Sequence, residues 1–232
     1  MRKPKLMPSL AFGAAAALVA EATLSICTGA PVVLPPPTEH APDTAAATDT
    51  IVLAGGGFWG VQAVFQHVDG VERAVAGYAG GRVANPTYRE VVAGNTGYAE
   101  AVEVTFDPHR VSLGEILRIY FSVAHDPTEV NRQGSDEGAQ YRSEIFAADA
   151  QAAEFAKAYI AELDARRAYP RPIATKVEPL AAFYPAESYH QNYAARHAGE
   201  PYVVYSVLPK VANLKRLFPK DYSEKPTLLA AG

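Results

Sequence analysis

The sequence predicts an α+β fold. Segments with a 3.6-residue apolar period and segments with a two-residue period follow one another irregularly, unlike the steady strand–helix alternation of a parallel-sheet protein. Two long stretches, residues 77–97 and 126–140, carry neither period. Long loops in a compact domain usually serve function, so the chemistry is expected on loops at one end of a small sheet. The 232 residues suffice for one good core or two small ones.

Taken in order, residues 1–30 read as an export signal: Arg2, Lys3 and Lys5 precede an apolar run from Ser9 to Ala20, which is too short to span a bilayer. Ala20-Glu21-Ala22 and Thr28-Gly29-Ala30 both fit a small-x-small cleavage site. Ile26 is too large for the position before a lipidated cysteine, so a lipid anchor at Cys27 is not expected. The mature protein is therefore expected in the periplasm or secreted. Residues 31–49 are rich in Pro, Ala and Thr and predict an extended, disordered linker. The globular domain is expected over residues 50–220, with a tail from 221 to 232.

Inside that domain, residues 51–54 read as a short buried strand. Phe58, Val61, Val64 and Phe65 then fall on one helical face, predicting a helix over residues 58–67. Ala74-Val75-Ala76 is a candidate strand. Val102, Val104 and Phe106 alternate with Glu103 and Thr105, a strand with one wet face. Ser112 and Glu115 form a capping box before a helix that turns Ile116, Ile119, Tyr120 and Val123 inward. An Ala-rich helix follows at 148–165, a strand around 175–177, and short helices at 187–197 and 209–217.

The net charge of −4 gives no reason to expect nucleic acid. A single cysteine, Cys27, excludes an internal disulfide and any cysteine-based metal cluster. Glu187-x-x-His190 is half of a carboxylate-bridged metal motif, but such sites need the motif twice, so no metal is expected.

Residues 55–60 run Gly-Gly-Gly-Phe-Trp-Gly, a glycine turn feeding a helix start. Unpaired N–H groups and the helix dipole make such a start a seat for an anion or a reactive thiolate. Gly55-x-Gly57-x-x-Gly60 also matches a dinucleotide fingerprint. That fingerprint needs an acid at the end of the next strand, whereas Asp69 and Glu72 precede the candidate strand, and Phe58 and Trp59 are bulky where a pyrophosphate would sit.

A second pattern takes in the whole domain. Ala54-Gly55-Gly56-Gly57-Phe58-Trp59-Gly60 resembles the Gly-Cys-Phe-Trp-Gly signature of the A-type peptide methionine sulfoxide reductases. The resemblance continues, in order, through Gly77-Tyr78-Ala79-Gly80-Gly81, Asn85-Pro86-Thr87-Tyr88, Gly97-Tyr98-Ala99-Glu100 and the run from Arg132 to Ser143. It ends with Phe183 to Gln191 and Leu208-Pro209-Lys210. It implies a two-layer sandwich with a small mixed sheet flanked by helices. It also implies a monomer that repairs oxidised proteins and peptides by reducing Met-(S)-sulfoxide. No bound cofactor is implied; the electrons come from thioredoxin or another external thiol.

Methionine sulfoxide carries an S-methyl group and a polar S=O. The resemblance assigns Phe58 and Trp59 to the methyl, as aromatic walls. It assigns Tyr88, Glu100, Asp136 and Tyr141 to the oxygen: Glu100 as a protonated donor favoured by burial, the tyrosines as phenolic donors, Asp136 orienting them. One small departure is Tyr98, where the family commonly has His. The large departure is Gly57, at the position of the family's nucleophilic cysteine. Glu, Tyr and water move protons but do not supply two electrons. Val203 stands where some members carry a recycling thiol, a loss that an external thiol could cover. Cys27 could reach residue 57 along the linker but would lack the helix-start environment that activates a thiol. The sequence therefore predicts an inactive relative with a thiol-sized space at residue 57, and a non-catalytic sulfoxide-binding protein as the alternative function.

Overall fold

A computed structural model describes residues 31–42 and 46–230; the signal-like segment, its cleavage sites and Cys27 lie outside them. The elements in chain order are β1 (Asp49–Gly55), α1 (Phe58–Gln66), β2 (Val71–Ala79), α2 (Tyr88–Val92), β3 (Ala99–Phe106) and α3 (Leu113–Ile119). The last continues as a π-helical turn over Tyr120–Ala124. Then come β4 (Arg132–Gln133), β5 (Asp136–Glu137), β6 (Ser143–Ala147), α4 (Ala150–Ala165), β7 (Lys176–Pro179), β8 (Phe183–Pro185), α5 (Tyr193–Arg196) and α6 (Leu208–Leu217).

Six strands form one mixed sheet in the order β7-β6-β1-β3-β2-β8. Only β6 and β7 run parallel; the other neighbours are antiparallel. The α+β class expected from the sequence is thus the observed one. Side chains alternate across a strand, and the sheet uses both faces unequally. Ile51, Leu53, Ala76, Tyr78, Val102, Val104 and Ile145 point into the main core, where Phe58, Val61, Phe65, Ile116, Ile119 and Phe155 of the helices cover them. Val52, Ala54, Ala79, Ala99, Ala101 and Phe146 form a smaller cluster on the other face, closed by Leu180 and Phe183.

Local signals explain the helix starts. Ser112 Oγ accepts from the Glu115 amide at 3.1 Å, and Asp149 Oδ1 accepts from the Ala152 amide at 2.8 Å. The expected reciprocal half of the Ser112 capping box is missing, because the Glu115 carboxylate pairs with Arg118 instead. The helix expected over 187–197 is broken in two. Asn192 adopts a left-handed φ of 55°, ending the 3-10 turn Ser188–His190 before α5.

Two terminal expectations change. Residues 31–42 have no regular secondary structure, as their prolines dictate, but they are docked rather than a disordered linker. Leu34 is 1% exposed in the main core, its carbonyl accepts from Arg118 Nε at 2.7 Å, and Tyr159 Oη donates to the Pro35 carbonyl at 2.7 Å. The segment after residue 220 is also held rather than a free tail: Tyr222 bridges to Val68, the Thr227 amide donates to Gln66, and the Leu229 amide and carbonyl bond Asn192. Among the described residues, no helix is long and apolar enough to cross a membrane.

Candidate active site

The glycine turn after β1 delivers α1 to the sheet end where β3 begins. Gly56 has φ +86°, a conformation that L side chains rarely adopt. Gly57 has φ −58° and ψ 126°, open to any residue. From β3, Glu100 projects beneath the helix start; it is 3% exposed, and its Oε2 accepts the Phe58 amide at 3.0 Å. A cavity of about 170 Å³ opens here. Its lining is Gly57, Phe58, Trp59, Tyr88, Glu100, Asp136, Tyr141 and Tyr202.

All seven residues singled out from the sequence therefore meet in one place, although they span residues 57 to 141. Tyr88 opens α2, Asp136 opens the β5 half of a small hairpin, and Tyr141 ends a 3-10 turn (Ala139–Tyr141). Tyr88 and Asp136 lie within the two long stretches expected to carry chemistry, and Tyr141 follows directly on the second.

Burial pushes the Glu100 carboxyl up to about 8, helped by Asp136 and opposed by the Phe58 N–H. At neutral pH it is protonated. With Oε2 accepting from Phe58, the proton sits on Oε1 as a hydrogen-bond donor. Burial, followed by the charges of Glu100 and its neighbours, pushes Tyr88 and Tyr141 up to about 12, so both stay phenols. The cavity thus presents uncharged O–H donors beside aromatic rings.

Sequence reasoning missed three contributors. Tyr202 Oη donates to Asp136 Oδ2 at 2.8 Å, and its ring stands nearly perpendicular to Trp59 at 77°. The one signal in the chain is that Tyr202 immediately precedes Val203, the position where some members of the family carry a recycling thiol. Glu187 accepts from Tyr78 Oη and from the Tyr88 amide, both at 2.9 Å, tying β2 to the start of α2. His190 Nδ1 accepts from Trp59 Nε1 at 3.2 Å, and its ring packs on Phe58, Tyr88 and Tyr189. These bonds occupy the Glu187 carboxylate and the Nδ1 of His190, while His190 Nε2 is buried without a partner. Among the described residues, no group of three or more His, Cys, Asp or Glu could hold a metal.

The expected thiol-sized space at residue 57 is not open as predicted. A Cβ built on Gly57 would lie 2.8 Å from Tyr202 Oη and 3.5 Å from Asp136 Oδ2. The phenol hydroxyl occupies that room, held there by Asp136. The nucleotide fingerprint also fails on geometry: the Glu100 carboxyl already takes the helix-start amide that a pyrophosphate would use. Val203 is fully buried among Ala63, Ala194 and Val207.

Residues 49–222 match the family described as peptide methionine sulfoxide reductase. The chain is 53% identical over 185 residues to peptide methionine sulfoxide reductase MsrA 2 of Mesorhizobium japonicum, covering 80% of this chain and 95% of that one. It is 48% identical over 182 residues to MsrA 2 of a Synechocystis species, covering 78% and 83%. Among solved structures, methionine sulfoxide reductase A of Corynebacterium diphtheriae aligns with TM-score 0.58 at 38% identity, over 66% of this chain and 76% of that one. The reduced form of Mxr1 from Saccharomyces cerevisiae aligns with TM-score 0.61 at 31% identity, over 73% and 94%.

Proposed function

Because this chain belongs to the peptide methionine sulfoxide reductase family, we propose that its cavity receives the side chain of Met-(S)-sulfoxide and holds it without reducing it. The observation that carries this is the pairing of a buried, protonated Glu100 with a residue 57 that has no side chain. Glu100 Oε1–H, with Tyr88 and Tyr141, offers hydrogen bonds to the sulfoxide oxygen. Phe58 and Trp59 offer apolar surface to the methyl group. Asp136 orients the network through Tyr202.

Reduction needs a group that attacks sulfur and leaves oxidised. In the family that group is a cysteine, which becomes a sulfenic acid and is regenerated by thioredoxin or another thiol. Here the attack has no agent: the lining residues carry carboxyls, phenols and apolar rings, and none gives up two electrons to a sulfoxide. The signal-like residues 1–30 support action in the periplasm or outside the cell. The proposed substrates are oxidised proteins and peptides, and the proposed acting form is a monomer. Titration calorimetry with paired peptides tests the binding. The sulfoxide peptide should bind at least about tenfold more tightly than its Met counterpart, since a buried donor left unpaired costs that much or more. Equal affinities would refute it.

A further inference from the structure

The lining of the cavity has a composition that sulfoxide recognition does not exhaust. Five aromatic side chains, Phe58, Trp59, Tyr88, Tyr141 and Tyr202, surround it together with two carboxyls, and no Lys, Arg or His lines it. Its volume of about 170 Å³ is well below the roughly 300–1,000 Å³ of pockets that engulf a whole small molecule, so it is sized for a head group. The walls are preformed. Trp59 is clamped face to face on Tyr193 at 3.6 Å and set nearly at right angles to Tyr202, and Phe58 lies roughly parallel to Tyr88 at 6.4 Å. Aromatic rings fixed around an acidic floor attract methylated cations through the ring quadrupoles, and rigidity lowers the ordering cost.

We infer that this cavity also takes a methylated onium head group, a trimethylammonium or dimethylsulfonium cation on a small polar molecule. Gly57 matters here for a second reason. A thiolate at this position would stand beside the onium methyl groups as a strong methyl acceptor; with glycine, no thiolate lines the cavity. The ligand class differs from sulfoxide in charge, and its binding does not require the sulfoxide reading to hold.

The two ligands place opposite demands on Glu100. A sulfoxide uses the carboxyl as a donor, so its affinity is present below about pH 8 and falls above it. An onium cation favours the carboxylate, so its affinity rises as pH passes through about 8, and at neutral pH its uptake releases a proton. The groups facing Glu100 are the Phe58 amide, Asp136 and the phenols Tyr78, Tyr88, Tyr141 and Tyr202. Beyond them Lys210, pushed down to about 8 by burial and opposed in this by the charges of Asp136 and Glu129, loses its charge in the same window. That loss acts in the same direction, since it makes the surroundings of Asp136 more negative.

Calorimetry on the full mature chain decides the point. The probes are choline and its uncharged isostere, in which carbon replaces the quaternary nitrogen, titrated on either side of about pH 8. Choline should bind at least about tenfold more tightly than the isostere, more tightly at the higher pH, and Trp59→Leu should remove most of that advantage. Equal affinity for the isostere, or choline affinity that does not rise with pH, overturns the inference. A failure of sulfoxide peptides to bind would leave the choline result standing, so the two ideas fail separately.

Discussion

Gly57 is not a glycine that the backbone demands. Its neighbour Gly56, at φ +86°, is. At φ −58° any residue fits locally, and the constraint on residue 57 comes from Tyr202, whose hydroxyl now lies 2.8 Å from the place of a Cβ and is fixed by Asp136. The phenol is the far end of its side chain, so it can yield, at the expense of that hydrogen bond. A Gly→Ala change gains about 0.4–1 kcal/mol from the unfolded chain, while crowding in a packed site costs about 1–3 kcal/mol. Gly57→Ala should therefore lose about 1 kcal/mol in urea unfolding. In a Tyr202→Phe background the same change should be neutral or stabilising. An identical loss in both backgrounds would show that Tyr202 is not the obstacle.

At the scale of elements, Phe58, Trp59 and Glu100 ride on pieces whose local signals are visible in the chain, whereas Tyr88, Asp136 and Tyr141 ride on short pieces that show no period. The apolar face of α1 places Phe58 in the core and Trp59 at the cavity; the alternation of β3 turns Glu100 inward beneath the helix start. The segment over residues 31–42 is different, because Leu34 is its one fully buried apolar residue. Leu34→Ala should cost about 2 kcal/mol or more in thermal or urea unfolding, the lower end for a buried leucine. A negligible change would mean the segment is not docked in solution.

What was legible follows from where the determining contacts lie. Phe58, Trp59, Tyr88, Glu100, Asp136 and Tyr141 sit in short motifs that resemble those of the family, so the resemblance, and not any local pattern, implied their grouping. Glu187 and His190 reach partners at Tyr78, Tyr88 and Trp59, about a hundred residues or more earlier, and no local pattern announces such pairs. The β6 strand was missed because Ser143–Ala147 is buried throughout and shows no alternation. The proline-rich segment is irregular, as the sequence suggests, but Leu34, with the bonds from Tyr159 to Pro35 and from Thr38 to Glu162, turns irregular into docked.

For the molecule as a whole, the sheet order gathers these elements at one end. β1 and β3 are central neighbours, so the glycine turn leaving β1 and Glu100 near the start of β3 lie side by side, and β2 brings Tyr78 next to Glu100. The two long loops close over them with Tyr88 and Asp136, and Tyr141 follows directly on the second. Two of the bonds that hold the site, from the Phe58 amide to Glu100 and from Tyr78 to Glu187, do not involve the side chain of residue 57; the third, from Tyr202 to Asp136, is the one that a side chain there disturbs. The claim is most directly tested by a thiol-coupled reduction assay on a Met-sulfoxide peptide, comparing the chain as it stands with Gly57→Cys. The expected result is no turnover above background for the glycine protein and robust, thiol-dependent turnover for Gly57→Cys once Tyr202 has shifted aside. Turnover by the glycine protein itself would contradict the account.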